Sequence, residues 1–139
     1  MEYGYLKIYS SQTFKVTKDF GQLHNDWINS ISFSNNDSHL TTGSSDKKIK
    51  IVSIPQFEVE HTFDQHTHNV LSVHFHPKFQ NILVSGSWDR TIKIWDIEKK
   101  KLLNSIGDHS HFVRCVKFDH DGSSIYSCSS DQTIKRFSF

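Results

Sequence analysis

Alanine is absent from the 139-residue sequence, methionine occurs once, and proline and cysteine occur twice each. Without alanine the chain lacks the strongest helix former. The two cysteines, Cys115 and Cys128, are too few for a disulfide scaffold, and their spacing matches no common zinc pattern. No apolar run approaches the roughly 18 residues that a membrane-spanning helix needs. Met1 to Ser10 shows neither the basic start nor the apolar core of a secretory signal. Neither sign of charge dominates: 16 Lys and Arg face 15 Asp and Glu, for a net charge of +1. The basic surplus of a general polyanion binder is therefore missing. These absences point to an intracellular protein with reduced thiols, outside the membrane.

What the chain does have is β-forming material. Aromatic residues make up 13%, including 11 Phe, and Ser, Thr, Ile and Val are abundant, which suits pleated, half-buried surfaces. The expected fold class is all-β.

A repeat organises these residues. Asp46, Asp89 and Asp131 lie 43 and 42 positions apart. Each follows a small-residue segment: Thr42-Gly43-Ser44-Ser45, Ser85-Gly86-Ser87-Trp88 and Ser127-Cys128-Ser129-Ser130. Each precedes a β-branched run: Lys48 to Val52, Thr91 to Trp95 and Thr133 to Phe137. Upstream, His-x-x-x-(Val/Ile)-x-x-(Val/Ile)-x-Phe recurs as His24–Phe33, His66–Phe75 and His109–Phe118. Each unit reads as four short strands. In the first they are Ile28 to Ser34, His39 to Gly43, Lys48 to Val52 and Gln56 to Phe63, separated by turn chemistry such as Asn35-Asn36-Asp37-Ser38. Four antiparallel strands every 40–45 residues is the period of a propeller blade.

These units resemble the WD-repeat (Trp-Asp) β-propellers, and the middle one carries the signature dipeptide Trp95-Asp96. The resemblance runs from about Tyr5 to Phe139. It implies a buried network joining a His before the first strand, a Ser or Thr on the second, the hairpin Asp and a third-strand Trp. By position, the middle unit supplies His66, Ser85, Asp89 and Trp95. The first supplies His24, Thr42 and Asp46 with Val52 in place of Trp, and the third His109, Ser127 and Asp131 with Phe137 there. Without an indole donor, the outer two networks are expected to be less tightly locked.

Leu6 to Tyr9 matches a third strand and Thr13 to Lys18 a fourth, whereas the chain stops after a third strand at Phe139. The expectation is thirteen strands in an open-arc partial propeller. It is divided into two outer strands of a partial blade over residues 1–20, blade 1 over 21–63, blade 2 over 64–106 and blade 3, lacking its last strand, over 107–139. Closed rings take roughly 4–8 blades. The chain is thus expected to belong to a longer propeller, to complete a ring with a second copy or another protein, or to serve as a subunit of a larger assembly.

The His–Ser–Asp sets also suggest a nucleophilic triad. A set that recurs in every unit fits a structural role better than an active site, and no Gly-x-Ser-x-Gly elbow is present. No catalytic residue, cofactor or metal is expected. Ten histidines are present, but His74 and His76 read as polar side chains opposite the Val73/Phe75 core face. Lys99-Lys100-Lys101 is a solvated turn and not a nucleic-acid track, and the paired-Arg motif of phosphoinositide-binding propellers is missing. In the resembled family, partner contacts cluster beside the first-strand Val or Ile and before the hairpin Asp. These positions are Trp27, Asn29 and Ser45; Asn69, Leu71 and Trp88; and Phe112, Arg114 and Ser130. The expected function is a non-catalytic scaffold that binds proteins or peptides on this rim. The alternatives are a nucleic-acid or phosphoinositide binder and, last, a hydrolase.

Overall fold

The computed structural model describes residues 3–139; Met1 and Glu2, where the expected partial blade begins, lie outside the described residues. Thirteen strands and no helix are found among them. β1 (Tyr5–Tyr9) and β2 (Val16–Gln22) form a two-stranded sheet. β3 (Ile28–Phe33), β4 (His39–Ser44), β5 (Ile49–Ser53) and β6 (Glu58–Phe63) form blade 1. β7 (Val70–Phe75), β8 (Ile82–Ser87), β9 (Ile92–Asp96) and β10 (Lys101–Ile106) form blade 2. β11 (Val113–Phe118), β12 (Ser124–Ser129) and β13 (Ile134–Ser138) form blade 3. Neighbouring strands within each sheet are antiparallel and consecutive in the chain, so each blade is a meander, and the blades form an open arc.

Two strand starts differ from the sequence reading by two residues or more. The second strand begins at Val16 and not at Thr13, because residues 10–15 are spent on a turn. Ser10 N–H donates to Lys15 O, Phe14 N–H donates to Ser10 O, and Phe14 has φ of 55°. Phe57 and Lys100 hold the same left-handed position before β6 and β10, which moves the start of β6 from Gln56 to Glu58. The pairings Tyr9↔Val16, Val52↔Val59 and Trp95↔Leu102 close three turns of equal length.

Each inner strand carries a bulge at the same place, between Ile28 and Ser30, Val70 and Ser72, and Val113 and Cys115. An extra residue lets two apolar side chains three positions apart face the same way. Val70 and Val73 both reach Gly43, and Val113 and Val116 both reach Gly86. A Cβ added at Gly86 would stand 2.7 Å from Val113 Cγ1 and 3.0 Å from Val116 Cγ1. The close approach of consecutive blades thus requires glycine.

Side chains of one inner strand bind the backbone edge of the next. Ser30 and Ser32 Oγ accept from Val73 and Phe75 N–H, each at 3.1 Å. Ser72 Oγ and His74 Nδ1 accept from Val116 and Phe118 N–H at 3.1 and 3.2 Å. Edge amides left free by the meander are thereby satisfied. Two apolar clusters fill the spaces between blades. One joins Ile49, Ile51 and Phe63 to Val70, Val73, Phe75, Leu83 and Trp95. The other joins Val84, Ile92 and Ile94 to Val113, Val116 and Phe118. At about 1.5–3 kcal/mol for each fully buried large apolar side chain, this stacking is the main source of stability.

His76 corrects the sequence reading. It is buried, and its Nδ1 accepts from the amides of Lys78 and Phe79 while Nε2 lies 3.1 Å from Gly122 O. Gly122 has φ of 80°, and any side chain there would strike the imidazole. The arc leaves two blade faces uncovered. Ile31 and Phe33 are each 52% exposed, whereas Val73 and Phe75 at the same positions of blade 2 are 3% exposed. On the far face Ile134 is 78% exposed, against 0% and 1% for its counterparts Ile49 and Ile92.

Candidate interaction rim and the networks beneath it

The hairpin between the second and third strands of each blade is closed by an aspartate that accepts backbone amides on both oxygens. Asp46 Oδ2 and Oδ1 accept from Asn25 and Lys48 N–H, each at 3.0 Å. Asp89 accepts from Thr67 and Thr91 at 3.1 and 2.9 Å, and Asp131 from Ser110 and Thr133 at 3.1 and 3.0 Å. Each carboxylate also meets a buried imidazole through Nδ1: His24 at 2.9 Å, His66 at 2.6 Å and His109 at 2.7 Å. The imidazole Nε2 in turn meets a buried hydroxyl, on Thr42 at 2.7 Å, Ser85 at 2.7 Å and Ser127 at 2.6 Å. An ionised carboxylate can only accept, so Nδ1 carries the proton and the hydroxyl donates to Nε2. In blade 2 the chain is one link longer, because Trp95 Nε1–H donates to Ser85 Oγ at 2.8 Å. Val52 is fully buried and Phe137 half-buried at the Trp position, and neither supplies that donor.

The His, hydroxyl and Asp distances resemble those of a hydrolytic triad, but Thr42, Ser85 and Ser127 are all buried beneath the hairpins. A nucleophile must meet its substrate, and each of these hydroxyls is engaged with its imidazole, that of Ser85 with the Trp95 indole as well. Among the described residues the one buried side-chain polar atom without a partner is Thr41 Oγ1. Asp96, the second residue of the Trp-Asp dipeptide, is also structural: its Oδ1 accepts from Lys99 N–H at 2.9 Å and closes the β9–β10 turn.

Burial alone would raise the Asp46 carboxyl. The hydrogen bond and charge of His24 outweigh burial, with the Asn25 and Lys48 amides, and hold it at about 2. Asp89 is lowered in the same manner against its burial by His66 and Thr91. The Thr133 hydroxyl is the largest influence lowering Asp131, to which His109 and the Thr133 and Ser110 amides add. Burial pushes His66 below the usual imidazole range although Asp89 opposes it, and burial does the same to His74 and His76. All these groups bind protons more readily in the unfolded chain, so acid favours unfolding. Stability is expected to be level above about pH 6.5, to fall gently below it as the released histidines charge, and to fall steeply below about pH 4. Moving Asp46 from 3.8 to about 2 contributes about 2 kcal/mol, lost across that second window. Urea midpoints at about pH 7, 5 and 3 check the sign; a midpoint that rises on acidification would contradict it.

The extra residues of the bulges are Asn29, Leu71 and Arg114, and two of them reach the hairpin of their own blade. Asn29 Nδ2–H donates to Ser45 Oγ and to Val70 O, each at 2.9 Å, and Arg114 Nε–H donates to Ser130 Oγ at 2.6 Å. Trp27 is 58% exposed beside Tyr3, their centroids 5.9 Å apart. Between blades 2 and 3, Trp88 and Phe112 stack at 4.6 Å with their planes 12° apart. Asn69 O accepts from Trp88 N–H at 2.9 Å, which ties the Trp88 hairpin to the start of β7.

Two members of this rim escape the sequence reading. His68 flanks Trp88 at 5.3 Å and His111 flanks Phe112 at 4.2 Å, both exposed. Their signal was a histidine two positions before Val70 and again before Val113. The rim therefore divides into a stacked His68–Trp88–Phe112–His111 row at the joint of blades 2 and 3, and a separate exposed Trp27 on blade 1.

The WD40 family model, described as WD domain, G-beta repeat, matches residues 15–53, 57–96 and 100–138. This chain belongs to the WD40 family. A search among curated proteins returns no match. The WD40 repeats are offset from the blades by one strand. The first spans β2 to β5, the second β6 to β9 and the third β10 to β13, so each repeat crosses a blade boundary and fastens one blade to the next. WD40 repeats mark a domain of the protein-interaction kind, generally a non-catalytic scaffold. Among the described residues no helix is long and apolar enough to cross a membrane.

Proposed function

We propose that this WD40 chain is a non-catalytic scaffold that docks protein or peptide segments on the hairpin rim, within an assembly inside the cell. The observation that carries this reading is the stacked Trp88–Phe112 pair, half-buried between two blades and bordered by His68 and His111. Aromatic side chains stacked at one joint, with the exposed Arg114 held by Ser130 on the next hairpin, have the composition of an interface hot spot. Asn29, Asn69, Leu71 and Trp27 extend the surface around the arc. The Asp-closed hairpins beneath keep the rim's backbone fixed in advance, so binding does not have to order it. The two free cysteines fit a reducing compartment, and the exposed Ile31 and Phe33 offer the apolar face from which a larger assembly would continue the arc.

Affinity purification of the chain with and without the paired substitutions Trp88→Ala and Arg114→Ala tests the reading. Arg114 is exposed and the half-buried Trp88 lies outside the apolar clusters between the blades, so the variant should melt within a few degrees of the parent and lose its specific partners at least about tenfold. Unchanged partner recovery, or a collapse of melting temperature in step with recovery, would overturn it.

A further inference from the structure

Blade 3 departs from the other two blades at the pair of positions that engage a following blade. In blade 1 the pair is Ser30 across from Gly43, and in blade 2 it is Ser72 across from Gly86. The serines bind the next blade's amides, and the glycines make room for its valines. In blade 3 the same positions hold Cys115 and Cys128, Cα partners across β11 and β12. Both thiols are free and half-exposed. Both line one shallow, largely apolar pocket on the uncovered face with Lys117, Tyr126 and Ile134. Directly opposed residues of an antiparallel pair share a face, with Cα atoms about 4.5 or 5.5 Å apart. Either spacing lies inside the roughly 4.4–6.8 Å that a disulfide spans.

We propose that Cys115 and Cys128 form a reversible dithiol–disulfide site, closed by a low-molecular-weight disulfide such as oxidised glutathione. One cysteine thiolate attacks a sulfur of the small disulfide, expels one small thiol and leaves a mixed disulfide on the protein. The second cysteine attacks the protein sulfur of that mixed disulfide and expels the other small thiol. Two electrons pass from the cysteine pair to the small disulfide, and the two cysteine protons end on the two thiols released. No further oxidant is needed, and excess small thiol reverses both steps. To reach Cys128, Cys115 Sγ gives up its 3.9 Å contact with Ser72 Oγ, while Ser72 keeps its bonds to Val116 N–H and O. A side chain at the Cys128 position occupies the space that Gly43 and Gly86 leave to two valines. The site is independent of the rim, which lies at the hairpin ends.

The test takes the whole reduced chain, incubates it with oxidised glutathione at neutral pH, alkylates the remaining thiols and digests with trypsin. Cleavage after Arg114, Lys117 and Lys135 places the cysteines on separate peptides, residues 115–117 and 118–135, so a bridge appears as a linked pair. The linked pair should be the main product at every protein concentration, and dithiothreitol should restore both thiols. Its ratio to mixed disulfide should exceed that of the urea-unfolded chain roughly tenfold or more, because the β-ladder holds the thiols at short range. The Cys128→Ser chain should instead keep a glutathione adduct on Cys115. Two glutathionylated cysteines without a link, a link that grows with protein concentration, unmodified thiols, or equal ratios in the native and unfolded chains would each overturn the proposal.

Discussion

Trp95→Ala should cost about 3–5 kcal/mol, the range for emptying a buried aromatic site. Against a typical domain stability of 5–15 kcal/mol this is a large share of the total. The indole is fully buried, lies 4.6 Å from Phe63 of blade 1 and 5.8 Å from the imidazole of His66, and donates to Ser85. Its loss opens the cluster that joins blades 1 and 2. Trp95→Phe should keep part of the packing and lose the indole donor, at a cost nearer 1–2 kcal/mol by loss of the hydrogen bond and partial cavity together. Phe137→Ala, at the same register in blade 3 but only half-buried, should cost less than Trp95→Ala. Urea unfolding of the three variants gives the order directly; equal midpoints for Trp95→Ala and Phe137→Ala would contradict it.

Asp89→Ala is the second large effect, also expected at about 3–5 kcal/mol. The carboxylate accepts from His66 Nδ1, from the amides of Thr67 and Thr91 and from the Thr91 hydroxyl. Deleting it leaves the buried His66 imidazole and the half-buried Thr91 amide and hydroxyl without their acceptor. The loss should appear in the urea midpoint and spread to the rim, since Trp88 precedes Asp89 in the same hairpin. Asp46→Ala and Asp131→Ala should destabilise in the same direction, because their carboxylates hold the same pattern of amides. A single site among the three whose removal left stability intact would break the equivalence.

The three networks were legible through the resemblance, because the repeat puts a His, a hydroxyl and an Asp at the motif's positions in every unit, His66, Ser85 and Asp89 in the middle one. The start of β2 was not legible. Phe14, Lys15 and Val16 alternate as a strand would, and only the left-handed conformation at Phe14 ends the turn there. The bulges left a trace that period-two reading discards. Val70 and Val73 are three apart yet face the same glycine, and an odd spacing between two inward residues is what an inserted residue produces. His76 could not be placed from its neighbours in sequence, because the carbonyl beside its Nε2 and the space for its ring come from Gly122 in the next blade. The pairing of Trp88 with Phe112 likewise joins two blades, so each residue could be assigned to the rim but not to the other.

Native-state hydrogen exchange at the amides of Asn25, Lys48, Thr67, Thr91, Ser110 and Thr133 tests most directly whether the recurring carboxylates are structural. These amides lie outside the main-chain ladders and donate to Asp46, Asp89 or Asp131 alone, at 2.9–3.1 Å. Slow exchange at all six, with Thr67 and Thr91 released in the Asp89→Ala chain while the other four stay slow, is the expected result. Exchange of all six at the rates of open loops in the unmodified chain would contradict it.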